Sequence, residues 1–365
     1  MVRHFYAGSN SSLGFYSLFD DVLKGLNHLY ILKGGPGTGK STLIKNAGAL
    51  FEDKGLEVDY IHCSSDVDSL DGVIVPKLSV GIVDGTAPHI VDPKYPGVID
   101  KIVDLGNFRD DAKLLLHKEE IIQLTNDIST AFSNAYQSFA ESKRIHDELE
   151  DIYIEALDFE KANQVTEELR ERFFSTENEG GKPGKRAVYF FGANTPSGPV
   201  HYYDNLTQNC TKRVILKGRA GSGKSTLLKK LARAAQDAGY DVDIYYCSFD
   251  PNSVDMIIVP ELQVAIFDGT APHEMEPTRQ GDEVVDLFER CMDTRVESDK
   301  KVEIERVESG YKTQMQEGIR HLKQAKALHD KLEAFYVEAM DFTAVKQKQE
   351  ALIEEILNFS SSKTV

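Results

Sequence analysis

Two glycine-rich segments of the chain carry residue types suited to holding phosphate. Their backbone N–H groups can turn toward phosphate oxygens at a helix start, and each segment ends in a lysine that adds a positive charge. An apolar, strand-like run precedes each segment and a helix-like run follows, which is the context such loops need. The two segments read Gly34-Gly35-Pro36-Gly37-Thr38-Gly39-Lys40-Ser41-Thr42 and Gly218-Arg219-Ala220-Gly221-Ser222-Gly223-Lys224-Ser225-Thr226. We call residues 34–41 and 218–225 the first and second glycine loops.

Acidic residues at the ends of apolar strands predict a magnesium ion beside each loop. Asp84 ends the run Val80–Asp84, and Asp268 ends the run Val264–Asp268. Such an aspartate typically holds Mg²⁺ together with the loop serine, here Ser41 or Ser225, while the loop lysine contacts the phosphates. Lys40, Lys224, Asp84 and Asp268 are therefore predicted catalytic residues, and the two serines and two aspartates are the predicted metal ligands.

The residue that would activate water is not evident from the sequence. Asp66 and Asp250 lie just past a predicted strand, where ligand chemistry gathers in parallel sheets. We predict a catalytic role for both, with capping of their loops as the alternative. Asp71 and Asp255 have the pattern of turn residues.

Several matched polar residues allow more than one interpretation. His89 and His273 follow the strand-end aspartates by five residues. They could sense the γ-phosphate of a nucleotide, contact the other half of the chain, or pack inside their own loops. Three residues at i, i+4 and i+7 share one face of a predicted helix in each half, where they could form a metal or substrate site or pack the helix. These are His146, Glu150 and Tyr153, with His329, Glu333 and Tyr336 as their mates.

The chain is an internal duplication. A shift of 184 residues (218 − 34) aligns the halves from Gly8 to Gly97 without a gap, and half of the positions from Gly34 to Pro93 are identical. Each half is predicted to contain a parallel-sheet core followed by a helical hairpin appendage. The predicted boundaries are 1–177 for the first domain (core 1–107, appendage 108–177), 178–185 for a linker, and 186–365 for the second domain (core 186–294, appendage 295–365).

Composition restricts the partners and the compartment. The net charge of −17 argues against nucleic-acid binding, because such binding requires Lys and Arg to neutralise phosphates. No apolar run approaches the roughly 18 residues of a membrane span. Four separated cysteines without metal-site spacing fit a reducing compartment, so we expect a cytoplasmic protein.

The two loops and the two Asp-Gly-Thr-Ala-Pro-His strand ends carry a resemblance to the P-loop NTPases. More narrowly, the whole chain is similar to bacterial tandem ATP-binding proteins regarded as ATPases or nucleotide kinases. The resemblance implies an α/β fold with two tandem P-loop NTPase domains, ATP or another NTP as ligand, and Mg²⁺ as cofactor. Many such ATPases have a glutamate directly after the strand-end aspartate, whereas this chain has Gly85 and Gly269 there.

Three classes of function follow from these features. The first is an NTP hydrolase whose pseudo-symmetric halves face each other as an intramolecular dimer and change conformation with nucleotide. The second is a nucleotide or small-molecule kinase, which Asp66 and Asp250 would favour. The third is an interaction protein that recruits a protein partner through its helical hairpins, with nucleotide as the switch. The two complete loops favour the hydrolase.

Overall fold

The computed structural model describes residues 1–174, 181–272 and 274–362. The fold is mixed α/β. Its described strands are β1 (Val2–Tyr6), β2 (Gly8–Ser11), β3 (Gly14–Ser17), β4 (His28–Lys33), β5 (Val58–His62), β6 (Leu70–Val75), β7 (Val80–Asp84), β8 (Asp100–Asp104), β9 (Arg186–Phe190), β10 (Gly192–Thr195), β11 (Gly198–His201), β12 (Lys212–Lys217), β13 (Val242–Tyr246), β14 (Val254–Val259), β15 (Val264–Asp268) and β16 (Asp282–Asp286).

Twelve of the described strands form one continuous sheet that runs through both halves. Its order is β16-β12-β15-β14-β13-β9-β1-β5-β6-β7-β4-β8, so each half contributes six strands in the same internal order. The sheet is mostly parallel. The prediction of a parallel core needs one correction, because β6 and β14 run antiparallel to both of their neighbours. These strands return directly from β5 and β13 without a crossover helix, which forces the antiparallel direction.

A pseudo-two-fold axis passes through the centre of the sheet. Strands β1 and β9 pair antiparallel with Tyr6 opposite Phe190, its repeat mate. Beside this pair, the Asn10 Nδ2 donates to the Asn194 carbonyl at 3.0 Å, and the Asn194 Nδ2 donates to the Asn10 carbonyl at 3.0 Å. The two asparagines are buried. Each half therefore presents the same backbone edge to the other, as in a symmetric dimer.

The helices account for most of the remaining described residues. They are α1 (Phe19–Val22), α2 (Lys40–Asp53), α3 (Asp111–Leu115), α4 (Lys118–Ile154), α5 (Phe159–Phe174), α6 (Tyr203–Leu206), α7 (Lys224–Asp237), α8 (Leu287–Cys291), α9 (Val296–Asp299), α10 (Lys301–Ala339) and α11 (Phe342–Ser362). None of these described helices combines the length and the apolar character that crossing a bilayer requires.

The two long helices pack against each other rather than within their own halves. Helix α4 has 37 residues and α10 has 39, and they run antiparallel. Phe139 lies against Gly318, and the Ser142 hydroxyl donates to the Tyr311 carbonyl at 3.1 Å. The prediction of a helical hairpin in each half is therefore wrong. The apolar stripe of α4 is covered by α10, which leaves α5 free to pack elsewhere.

The short helix that follows each long helix is exchanged between the halves. Helix α5 packs on α7 of the second core, where Val165 and Leu169 join the same buried cluster as Leu228. Helix α11 packs on the first core, where Leu352 joins the cluster that contains Leu43. Each short helix therefore packs on the core of the opposite half, whereas the predicted boundaries placed each appendage with the core that precedes it. The predicted boundary at 177 and residues 178–180 of the predicted linker lie outside the described residues.

Candidate functional site

Each glycine loop connects the carboxyl end of a sheet strand to the start of a helix. The first loop lies between β4 and α2, and the second lies between β12 and α7. Gly37 and Gly39 have φ values of 66° and 88°, and their mates Gly221 and Gly223 have 71° and 88°. Only glycine adopts these left-handed values at low cost, so the loop shape requires it at these positions. The sequence-predicted strand–loop–helix arrangement is therefore present in both halves.

The loop lysines lie within their own loops. The Lys40 ammonium donates to the carbonyls of Gly34 at 3.0 Å and Gly35 at 2.8 Å. The Lys224 ammonium donates to the carbonyls of Gly218 and Arg219, both at 2.9 Å. Each loop therefore combines a lysine ammonium group with the first N–H groups of a helix, where the helix dipole is positive.

The strand-end aspartates lie beside the lysines, as predicted. The Asp84 Oδ2 is 3.7 Å from the Lys40 Nζ, and the Asp268 Oδ2 is 3.6 Å from the Lys224 Nζ. The other carboxylate oxygen of each accepts hydrogen bonds from the backbone N–H and hydroxyl of a threonine two residues on. The aspartates are thus oriented by their own turns, with one oxygen directed toward the loop.

The hydroxyl oxygen of each loop serine is held by a backbone N–H group of a neighbouring strand. The Ser41 Oγ accepts a hydrogen bond from the Leu70 N–H at 2.9 Å, and the Ser225 Oγ accepts one from the Val254 N–H at 2.9 Å. Hydroxyl and carboxylate oxygens with phosphate oxygens are the ligands that Mg²⁺ prefers.

A second aspartate lies next to each strand-end aspartate, and sequence reasoning missed it. Asp71 and Asp255 lie on β6 and β14 rather than in turns, so the prediction of turn residues is wrong. Burial raises the pKa of Asp71 to about 6, with repulsion from Asp84 adding to the effect. Burial, followed by repulsion from Asp268, raises the pKa of Asp255 to about 7. A bound cation would relieve this repulsion.

The signal that could have found these residues is a charged residue inside an apolar run. The first run is Leu70-Asp71-Gly72-Val73-Ile74-Val75, and its mate also places aspartate second. Burying a charged carboxylate in a strand costs folding free energy unless the charge is paired or binds a cation. Both halves nevertheless have an aspartate at this position.

Asp66 and Asp250 cap their loops in this structure. The Asp66 carboxylate accepts from the Asp68 N–H and from the Ser69 hydroxyl, both at 3.0 Å. Asp250 accepts from the Asn252 N–H at 3.1 Å and from the Ser253 hydroxyl at 3.4 Å. This arrangement is the capping alternative, and a catalytic role for either aspartate stays a prediction.

His89 is packed inside the first half. Its side chain is 5% exposed, stacks on Phe19 with a ring separation of 4.9 Å, and lies 3.6 Å from the Asp71 carboxylate. These neighbours belong to its own half, so the structure agrees with the packing alternative for His89 and not with a contact to the other half. His273 lies outside the described residues.

Each glycine loop is covered by the long helix of the opposite half. A methyl group added at Gly221 would lie 2.7 Å from the Glu150 carbonyl and 2.9 Å from the Ile154 Cγ1, both on α4. A methyl group added at Gly37 would lie 2.9 Å from the Glu333 Cγ and from the Val337 Cγ2, both on α10. The close approach of helix and loop explains why these positions also require glycine.

Ion pairs between the halves reinforce this contact. The Lys143 ammonium on α4 is 3.6 Å from the Asp250 carboxylate, and the Lys326 ammonium on α10 is 3.4 Å from the Asp66 carboxylate. The same arrangement thus occurs on both sides of the axis. Each loop region is built from the core of one half and the helix of the other.

A cavity of about 590 Å³ lies at the second loop and opens between the two halves. Its walls include residues of the second core and of α4, among them Lys224, Asp255, Asp268, Phe249, His146 and Glu150. The volume lies within the range of pockets that hold small molecules.

The matched face of the long helices is mainly a packing surface. His146 contacts the rings of Tyr311 and Phe249, with ring separations of 5.3 and 6.4 Å. Among the described residues, two groups have ligand atoms within 4.8 Å of one another, namely His146, Asp147, Glu150 and their mates His329, Asp330, Glu333. Lys143 and Lys326 form ion pairs with Asp147 and Asp330, which places a competing cation in each group.

The chain was compared with protein-family models, curated proteins and solved structures, and none of them matches it.

Proposed function

We propose that the chain binds Mg-NTP, ATP in the first instance, at both glycine loops and hydrolyses it, with coupled movement of the two halves. The observation that carries this proposal is the repeated geometry of lysine, serine and aspartate at the two loops, each under the helix of the other half. In these terms the chain is a tandem P-loop NTPase whose halves form an intramolecular pseudo-dimer.

Different residues would bind the phosphates and the Mg²⁺ ion. The loop N–H groups and the ammonium groups of Lys40 and Lys224 would hold the β- and γ-phosphates. Ser41 with Asp84, and Ser225 with Asp268, would hold Mg²⁺ directly or through water. The ion would neutralise phosphate charge and orient the γ-phosphate for attack.

The pairing of α4 with α10 supports coupling between the sites. Each helix contacts the loop of the opposite half, and the two helices contact each other along their length. A phosphate that displaces α4 at the second loop therefore acts on α10, which covers the first loop. Coupling of this kind should appear as a change in affinity at one site when the other is filled.

A phosphotransferase is the second candidate, and Asp66 and Asp250 are the observation that favours it. Their carboxylates lie just past β5 and β13, where an acceptor hydroxyl could be deprotonated. Their ion pairs with Lys326 and Lys143 would first have to open.

We further propose a cytoplasmic location. All four cysteines are free thiols, as expected in a reducing compartment.

We also propose that a protein partner binds the long helices in a nucleotide-dependent way.

The test is phosphate release from Mg-ATP by the full chain, alone and with a panel of nucleoside and nucleotide acceptors. Lys40→Ala and Lys224→Ala should each remove turnover at one loop, and the double variant should have none. Lys54→Ala, at the exposed end of α2, is the matched control and should behave as the unchanged chain. Full turnover in the double variant would contradict the proposal, and release that requires an acceptor would identify a kinase.

A further inference from the structure

The position directly after each strand-end aspartate has no room for a side chain. A methyl group at Gly85 would collide with the Ile31 side chain and lie 2.9 Å from the Val91 carbonyl. A methyl group at Gly269 would collide with the Ile215 side chain. A water-activating carboxylate is therefore excluded from this position by packing, in both halves. If the chain hydrolyses NTP, the carboxylate comes from another element.

The nearby aspartates of the same half are already engaged. Asp66 and Asp250 cap their turns and pair with lysines. Asp71 lies in the sheet, 4% exposed, next to the strand-end aspartate. Its mate Asp255 lies on a sheet strand beside Asp268, in the wall of the second-loop cavity. These contacts turn the search toward the helices that cover the loops.

Glu150 of α4 is placed over the second loop and faces its cavity. Glu150 lines the cavity wall together with Lys224 and Asp268, and its side chain is 38% exposed. Burial raises the pKa of Glu150, while the charges of Lys143 and Lys224 oppose that rise.

Glu333 of α10 holds the equivalent place over the first loop. Its Cγ would lie 2.9 Å from a methyl group at Gly37, and its neighbour Tyr336 would lie 2.7 Å from one at Gly35. The long helices align at a shift of 183 residues, one fewer than the cores, so Glu150 and Glu333 are repeat mates (150 + 183 = 333). The two loops therefore receive the same side chain from the opposite half.

We propose that Glu150 and Glu333 are the water-activating carboxylates, each acting on the nucleotide held by the loop of the opposite half. In this step a water oxygen bonds to the γ-phosphorus as the carboxylate takes the water proton. The bond from that phosphorus to the β–γ bridging oxygen breaks, and its electron pair leaves with the nucleoside diphosphate. The proton then passes to phosphate or solvent. Hydrolysis at one loop thus depends on the helix of the other half.

This inference rests on the proposed function, and one set of variants separates the two. In the Lys40→Ala chain only the second loop turns over, so Glu150→Gln there should lower kcat by about 10²–10⁴-fold while the Kd for Mg-ATP is kept. Glu141→Gln is the matched control, because Glu141 lies on the same helix, exposed and paired with Arg144. In the Lys224→Ala chain, Glu333→Gln should cause the large loss instead.

Each outcome has a distinct meaning. If the unchanged chain releases no phosphate, the proposed function fails. If it does, but Glu150→Gln keeps the turnover of the Glu141→Gln control, the inference is overturned. A loss of affinity without a loss of kcat would assign Glu150 to support of the loop and would also overturn it. A larger loss from Glu333→Gln than from Glu150→Gln in the Lys40→Ala chain would contradict the crossed assignment.

Discussion

At the scale of single residues, one glycine in each loop is required both by the backbone conformation and by the packing of the covering helix. Gly37 and Gly221 adopt left-handed φ values, and they also leave space for a helix of the other half. Ala220, one residue before Gly221, does carry a side chain, which packs against the cluster that contains Leu149 and Tyr153 of α4. The covering helix therefore adds a constraint that phosphate binding alone does not explain.

Gly221→Ala should weaken nucleotide binding at the second loop at least tenfold. The added methyl group costs about 1–2 kcal/mol of backbone strain and collides with the Glu150 carbonyl. Gly55→Ala is the matched control, since Gly55 has a φ of 73° with nothing within 4 Å of an added methyl group. Calorimetry should show unchanged affinity for the control, and equal affinities for both variants would argue against the close contact with α4.

The loop residues and strand-end aspartates could be predicted from the sequence, because their contacts are local. Spacing alone brings Lys40 to its own loop carbonyls, and one strand carries Asp84 to the same edge. Asp71 was missed, because its role depends on β6 turning back antiparallel between β5 and β7. The alternatives for His89 could not be separated for a similar reason, since the burial of a loop residue depends on packing by residues distant in the sequence.

At the scale of elements, the antiparallel pair of α4 and α10 is the main connection between the loops. Gly318 lies against the ring of Phe139, and their mates Ala135 and Leu322 pack in the same buried cluster. One glycine facing one aromatic ring lets the two helices approach closely at this point.

Gly318→Ala should lower the melting temperature, although alanine favours a helix by about 1 kcal/mol over glycine. The methyl group collides with the Phe139 ring, and such overpacking typically costs about 1–3 kcal/mol. Phe139→Leu in the same chain should recover part of the loss. Thermal melting of the four chains of this cycle is the measurement, and a more stable Gly318→Ala chain would show that the helices have room there.

The apolar stripes predicted both long helices, but not their partners. The stripes of α4 and α10 are alike because the halves are duplicates, so a hairpin within one half and a pair between halves satisfy the same pattern. The exchange of α5 and α11 was hidden by the same degeneracy. Which core a helix covers depends on the pseudo-two-fold arrangement of the whole chain.

At the scale of the whole molecule, the junction of the two halves contains a titratable cluster. The His62 ring bonds to the His4 Nδ1 at 2.8 Å and to the Tyr202 hydroxyl of the other half at 3.0 Å. Burial, with the nearby His4 and Lys45, lowers the pKa of His62 to about 3. The folded chain therefore holds this histidine neutral.

The stability of the chain should fall as the pH drops from about 6.5 toward 3, in part through His62. In that range the unfolded chain binds a proton that the folded chain does not, so acid favours unfolding. His62→Tyr, which copies the repeat mate Tyr246, should remove this part of the pH dependence. Urea midpoints between pH 4 and 8 provide the test. An unchanged slope would show that His62 does not titrate at the junction.

The exchange of helices predicts that neither half is complete alone. Chains of 1–177 and 181–365 should each be poorly stable, because each lacks the short helix that covers its core, and mixing should restore a stable complex. Size-exclusion chromatography with melting of the separate and mixed halves is the measurement. Stable, monomeric halves that do not associate on mixing would contradict the exchange.

The most direct test of two complete nucleotide sites is a calorimetric titration with Mg²⁺ and a non-hydrolysable ATP analogue. We predict a stoichiometry near two for the unchanged chain, near one for Lys40→Ala and for Lys224→Ala, and no binding for the double variant. A stoichiometry of one that persists in Lys40→Ala would make the first loop vestigial. The same heat of binding in the double variant as in the unchanged chain would contradict nucleotide binding at these loops altogether.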